Sequence, residues 1–180
     1  MNEPETRLCD ADGLERLLEG MAEQIVAQRC EGAALRLVGV RTRGVPIARR
    51  LAGMLRPMVG EEVLVGAVDI TLYRDDLGRG DHWPVLRGTE IAFKVDGVEI
   101  ILVDDVLFTG RTIRAALNAI CDLGRPACVR LAVLVDRGHR ELPIQPDVVG
   151  LQVPTERAER VRVRISPVDP EDEIVRLSRW

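Results

Sequence analysis

An apolar run, Glu99-Ile-Ile-Leu-Val103, leads into two adjacent carboxylates, Asp104 and Asp105. Val106, Leu107 and Phe108 follow, then Thr109, Gly110 and Arg111, and a helix is expected from Thr112. In open α/β sheets, ligands bind outside the C-terminal ends of the strands. A helix N-terminus there offers unpaired N–H groups and the positive end of its dipole, which suits an anion. Gly110 lets the backbone come close, while Thr109 and Thr112 add hydroxyl donors. The two carboxylates cannot bind phosphate. They can accept hydrogen bonds from a vicinal diol or help to hold Mg²⁺. A ribose carrying a 5′-phosphate satisfies both halves of the stretch. The other phosphate loops, GxxxxGKS/T and GxGxxG, are absent.

Such a turn needs a sheet to carry it. Leu14, Leu17, Leu18, Met21, Ala22, Ile25 and Val26 recur at helical spacing, behind a cap at Asp10 or Asp12. Leu35 to Val40 reads as a short strand. Thr42-Arg43-Gly44 is a turn, and Pro46 suits the first turn of a helix running to about Leu55. Val63 to Tyr73 reads as a strand. From Arg74 to Arg87 the periodicity fails, as in a lid or a disordered segment. Strands are expected near Glu90–Phe93, at Glu99–Val103 and at Arg130–Val135, with a short one at Val148-Val149. The helix from Thr112 reaches Asp122, with Gly124 at its C-terminal end. Val161 to Ile165 alternates apolar residues with arginine, as a half-exposed strand does, and the acidic tail from Pro167 gives no clear element. The alternation predicts a mostly parallel sheet with helices on both faces, in one domain spanning residues 1–180.

Composition narrows the class. The chain has 180 residues, 25 Lys+Arg against 29 Asp+Glu and a net charge of −4; Lys94 is its one lysine. Nearly every cation is therefore a planar fork suited to carboxylate or phosphate. The acidic balance argues against a generic nucleic-acid coat. At 46% hydrophobic, the chain is expected to fold. No apolar run reaches the roughly 18–20 residues that span a bilayer. Residues 1–12 are polar and acidic, so neither a signal peptide nor a membrane partner is expected. Cys9, Cys30, Cys121 and Cys128 share no CxxC spacing, and only His82 and His139 could join them. That argues against a structural zinc site and for free thiols in the cytoplasm.

The stretch from Glu99 to Thr112 resembles the 5-phosphoribosyl-1-diphosphate (PRPP) motif of type I phosphoribosyltransferases. Val40-Arg-Thr-Arg-Gly44 resembles their diphosphate loop. Asp69-Ile-Thr-Leu-Tyr-Arg-Asp-Asp76 and Leu134-Val-Asp-Arg-Gly-His-Arg-Glu-Leu-Pro143 are similar to the PyrR family, the bifunctional pyrimidine operon regulators and uracil phosphoribosyltransferases. The similarity runs from about Asp10 to Ile165. It implies the type I phosphoribosyltransferase fold, with a flexible loop at about 74–88 and a small hood at about 135–165. It implies that uracil and PRPP give UMP and diphosphate, with Mg²⁺ bound through PRPP and in reach of Asp104 and Asp105. It also implies a homodimer or homotetramer.

Carried over residue by residue, the resemblance gives Asp104 and Asp105 the ribose, and Arg74 the leaving diphosphate with Arg87 as a second cation. Thr42, Arg43 and Gly44 form the diphosphate loop. Val106, Leu107, Phe108, Thr109, Gly110, Arg111 and Thr112 line the 5′-phosphate turn. Arg137 in the hood meets substrate phosphate or the base edge, and Val161 lies near the ligand through its backbone. His139 is read as an exposed loop histidine or an RNA contact before a general base. Two alternatives stay open: an RNA-binding regulator with little enzyme activity, and another type I phosphoribosyltransferase. Against the latter, the 74–87 loop lacks the lysine of the orotate enzymes, and 135–139 lacks the hood aromatic of the purine enzymes.

Family members that regulate transcription by attenuation bind pyrimidine operon leader RNA when UMP or UTP is bound. Glu19, Gly20, Glu23 and Leu151 depart here from the basic RNA-binding pattern. Residues 1–23 carry a net −5 and residues 24–60 a net +6. Carboxylates facing RNA repel it, so RNA regulation is the weaker half of the expectation.

Overall fold

A computed structural model describes residues 5–70 and 88–178. Its elements are β1 (Glu5–Cys9), α1 (Ala11–Ala27), β2 (Leu35–Val40), α2 (Gly44–Val59), β3 (Leu64–Val68), β4 (Glu99–Leu107), α3 (Arg111–Cys121), β5 (Cys128–Asp136), β6 (Val148–Gln152), β7 (Arg160–Arg164) and β8 (Glu173–Leu177).

Five strands form one sheet in the order β3-β2-β4-β5-β6, and every neighbouring pair is parallel. Each face is sealed by helices, because residues two apart on a strand share a face. Along β4, Ile101 and Val103 join the core cluster under α1 and α2. Ile100 and Leu102 join the cluster under α3. The doubly apolar strands are what a parallel sheet covered on both sides requires.

The helices form for local reasons. Asp10 caps α1 by accepting from Gly13 N at 2.9 Å. The α1 stripe Leu14, Leu18, Met21, Ala22 and Ile25 is buried, as its spacing predicts. Helix α2 contains Pro46 in its first turn, continues past Leu55 through Pro57, and ends where Gly60 takes a φ of 70°. Gly110, at a φ of 90°, swings the chain from β4 into α3.

Three points differ from the sequence reading. Strand β4 reaches Leu107, so Asp104 and Asp105 lie within its last turns of pleat rather than beyond its end. The strand expected near Glu90–Phe93 is only a bridge between Ala67 and Glu90. The acidic tail forms β8, the centre of an antiparallel sheet ordered β1-β8-β7. Its Glu173 is spent on cross-strand pairs: Arg7 Nε donates to Glu173 at 2.9 Å, and Arg164 bonds both Glu173 and Glu5 of β1. Charges that mask a strand pattern in the sequence here tie the two ends of the chain together. The expected loop at 74–87 and residues 71–73 of the expected third strand lie outside the described residues. Among the described residues, no helix is long and apolar enough to cross a membrane.

Candidate active site

Helices α2 and α3 both begin at the C-terminal edge of the parallel sheet, after β2 and β4 respectively. Neither first turn contains an acid, and neither start is closed by a side-chain cap. Two positive dipole ends therefore sit beside one another, each suited to a phosphate group. Asp104 and Asp105 lie between them on β4.

The acid pair is held by its own backbone. Asp105 N donates to Asp104 Oδ1 at 2.9 Å, and Val106 N donates to Asp105 Oδ1 at 2.9 Å. Asp104 is 5% exposed. Burial, and then the neighbouring Asp105 carboxylate, raise its pKa well above the usual carboxylate range. The pair thus combines one buried acid that resists ionisation with one half-buried carboxylate.

Close backbone packing sets the distance between the diphosphate turn and this pair. A Cβ on Gly44 would lie 2.4 Å from Val103 O and 3.4 Å from Asp104 Cα. A Cβ on Gly39 would meet Val45 Cα at 2.5 Å. Glycine at both positions lets α2 begin directly against β4. The Arg41–Thr42 peptide is cis, and Thr42 is exposed at this turn.

Arg43 is engaged in a way its spacing did not suggest. Its Nε and Nη2 donate to Asp169 Oδ2 and Oδ1 at 2.9 and 2.8 Å, a bidentate pair. Asp169 also accepts from Ile165 N at 3.0 Å. The turn between β2 and α2 is thereby tied to the β7–β8 loop, with Asp105 close enough to act on the same guanidinium. Arg41, in the same Val40–Gly44 stretch, donates to Gly88 O at 3.1 Å and pairs with Glu90 at 3.0 Å.

The turn between β4 and α3 joins the segment after β5. Thr109 O accepts from Glu141 N at 2.9 Å, and Arg111 Nε donates to Glu141 Oε2 at 2.9 Å. Arg111 and Thr112 are exposed at the start of α3, and Leu107 is buried beneath it. Val106 packs on the core cluster shared with α1 and α2. Arg137 is 6% exposed and lies 4.1 Å over the Phe108 ring. Its Nε donates to Thr155 Oγ1, and its Nη2 to the Glu156 and Arg157 carbonyls. Arg137 is thus a strut inside the hood as well as a wall of the site. His139 adopts a φ of 63°, with Nε2 2.7 Å from Thr155 O. Asp136, Arg137 and Gly138 face Gln152, Val153 and Pro154 across a cavity of about 220 Å³.

The structure thus brings together Thr42, Arg43, Gly44, Asp104, Asp105 and the 106–112 turn, with Arg137 alongside. Val161 belongs to the antiparallel sheet, where it pairs with Arg176 and its side chain packs on the core cluster. Arg74 and Arg87 lie outside the described residues.

Known proteins agree with this geometry. Residues 6–164 match the model of the phosphoribosyl transferase domain. The chain is 51% identical to the bifunctional protein PyrR of Pelotomaculum thermopropionicum, over 98% of both chains. It is 52% identical to that of Thermus thermophilus, over 93% of this chain and 92% of the relative. The chain belongs to the PyrR family of phosphoribosyltransferases. Solved structures of lower identity share its fold. The hypoxanthine-guanine phosphoribosyltransferase of Bacillus anthracis superposes with a TM-score of 0.71 at 16% identity, covering 99% of this chain and all of that one. The hypoxanthine phosphoribosyltransferase of Trypanosoma cruzi gives 0.73 at 19% identity, covering 98% and 96%. The type I phosphoribosyltransferase fold expected from the PRPP motif is therefore the fold observed.

Proposed function

We propose that the protein transfers the phosphoribosyl group of PRPP to uracil, giving UMP and diphosphate. The observation that carries this reading is the placement of Asp104 and Asp105 between the N-termini of α2 and α3. It matches a ribose diol flanked by a diphosphate on one side and a 5′-phosphate on the other.

In the reaction, uracil N1 forms a bond to ribose C1 as the C1–diphosphate bond breaks, and the N1 proton passes to diphosphate oxygen or solvent. No protein nucleophile is needed. The α3 turn, from Thr109 to Thr112, holds the 5′-phosphate through backbone N–H groups and hydroxyls. Asp104 and Asp105 hold the ribose hydroxyls, and the Asp105 carboxylate offsets positive charge developing on the ring. The α2 start receives the leaving diphosphate, with Arg43 adding positive charge from its place against Asp169 and Arg74 and Arg87 as further cations. Holding these groups in one frame lowers the barrier through position and fixed charge. Phe108 and Arg137 make the wall against which the base is placed, and backbone groups of the hood suit the alternating acceptors and donors of uracil.

Two adjacent all-oxygen side chains, one resisting ionisation beside the other, fit a hard divalent cation. Asp104 and Asp105 would hold Mg²⁺ from the ribose side. When bound, it neutralises charge on the diphosphate.

A PRPP-dependent assay across uracil, orotate, hypoxanthine and adenine tests the reading. UMP from uracil is expected; turnover of another base with none from uracil refutes it.

The resemblance to the PyrR family implies a second activity, nucleotide-dependent regulation through pyrimidine operon leader RNA, and the relatives are named bifunctional. The surface that would serve it is acidic here. Glu19 and Glu23 are exposed on α1, which packs beside β6, where Gln24 Nε2 donates to Val149 O at 3.4 Å. Leu151 lies two residues further along β6. Filter binding of the leader with and without UMP is expected to show weak association at physiological salt. Tight UMP-dependent binding overturns that expectation.

A further inference from the structure

At the opposite end of the parallel sheet, three sulfur and oxygen ligands converge. Cys30 lies in the loop after α1, and Glu99 and Cys128 are the first residues of β4 and β5 and register partners. Their ligand atoms all lie within 4.8 Å of one another. Glu99 is fully buried. Its Oε2 accepts from Cys30 N at 3.1 Å, while its Oε1 makes no hydrogen bond and lies 3.2 Å from Arg130 Nη1 as an ion pair. Both thiols are half-buried, so solvent reaches the cluster.

We propose that Cys30, Cys128 and Glu99 form a binding site for a thiophilic divalent ion of the Zn²⁺ class, with solvent as the fourth ligand. Two sulfurs and one carboxylate oxygen are a donor set for zinc rather than for Mg²⁺ or Ca²⁺. Zn–S bonds of about 2.3 Å in a tetrahedron place two sulfurs about 3.8 Å apart. Ligand atoms within 4.8 Å therefore close by no more than about 1 Å, within the reach of a side-chain rotation.

The flanking arginines do not forbid the ion. Arg29 Nη2 pairs with Glu61 at 2.8 Å, and its Nε lies 3.6 Å from Glu99. Arg130 Nη1 is 3.2 Å from Glu99, and its Nη2 donates to Cys30 Sγ at 3.6 Å. Two cations and two carboxylates already balance. A divalent ion that displaces two thiol protons leaves that balance unchanged. The site lies away from the ribose acids, at the strand starts rather than the strand ends.

The test uses the full-length reduced protein, stripped with a chelator and titrated with Zn²⁺ against a chromophoric competitor, and separately with Co²⁺. One equivalent of Zn²⁺ at micromolar affinity or tighter is expected, with sulfur-to-Co²⁺ charge-transfer absorption. Cys30→Ser and Cys128→Ser are each expected to weaken Zn²⁺ by about 100-fold or more and to abolish that absorption. Cys9→Ser and Cys121→Ser are expected to change neither, and kcat/KM for PRPP is expected to be unaffected by Zn²⁺. Circular dichroism checks folding, and Cys30→Ala in the loop replaces any serine variant that misfolds. Absence of tight Zn²⁺ binding, or binding that survives loss of either cysteine, overturns the proposal. So does a reduced protein that binds no metal and only forms a Cys30–Cys128 disulfide on oxidation.

Discussion

Replacing Gly44 with alanine adds one methyl group at the join between the diphosphate turn and the acid-bearing strand. That Cβ would stand 2.4 Å from Val103 O, whereas carbon–oxygen contacts settle at about 3.3–3.6 Å. Roughly 1 Å must be found. Val103 cannot supply it, because β4 is hydrogen-bonded between β2 and β5 at that level. The start of α2 therefore moves, and its N–H groups withdraw from Asp104 and Asp105 by about the same distance. A misplacement of about 1 Å can cost about 100-fold in rate, so kcat/KM for PRPP is expected to fall by about that factor. Overpacking of this kind destabilises by about 1–3 kcal/mol. At about 2–4 °C per kcal/mol for a domain of this size, Tm should drop by about 2–12 °C. The control is Gly53→Ala in the same helix, where an added Cβ meets nothing within 4 Å. It should leave activity unchanged and raise stability by about 0.5–1 kcal/mol. Steady-state assays in PRPP and thermal melts of both variants decide the matter. A Gly44→Ala protein with kcat/KM within threefold of the parent refutes the reasoning.

Asp169→Asn removes the carboxylate that grips Arg43 and is expected to cost about 1–3 kcal/mol near neutral pH. The hydrogen bond from Arg43 is the main reason that the Asp169 pKa is lowered in the folded chain. The stabilisation is therefore present above the unfolded value of about 3.9 and is lost as pH falls through the lower folded value. Urea unfolding from pH 7 to pH 2.5 should show the gap between the two proteins closing; a gap independent of pH counts against the pair. Asp104→Asn keeps the acceptor for Asp105 N but loses the acid, and its PRPP turnover should fall by about 100-fold or more. Because burial raises the Asp104 pKa, the folded chain loses stability as pH rises from the unfolded value through the folded one. The variant should lack that loss and match or exceed the parent's stability at pH 8; marked destabilisation there contradicts the account. Leu51 of α2, fully buried in the core shared with α1 and the sheet, should cost about 2–5 kcal/mol as alanine, with KM for PRPP unchanged.

The local chemistry was written in consecutive residues and was legible there. A strand, two acids, a glycine turn and a helix start lie within Glu99–Thr112, and the structure contains each of them in that order. The α1 stripe and its Asp10 cap were legible for the same reason, since helical periodicity needs only neighbours in sequence. What stayed hidden depends on residues far apart in the chain. Asp169 lies 126 residues from Arg43, and no spacing rule joins an acidic tail to a diphosphate turn. Strand β8 was masked because its Glu173 is an ion-pair partner rather than a solvated charge. Cys30 and Cys128 lack any motif, and only the parallel register of β4 and β5 sets Cys128 beside Glu99 and near Cys30. Sequence by itself determined the fold class, through the local alternation of strands and helices, and the family, through a resemblance that runs along nearly the whole chain. Tertiary structure decided which charge each arginine meets, since a guanidinium pairs with whatever carboxylate the packed sheets bring within about 3 Å.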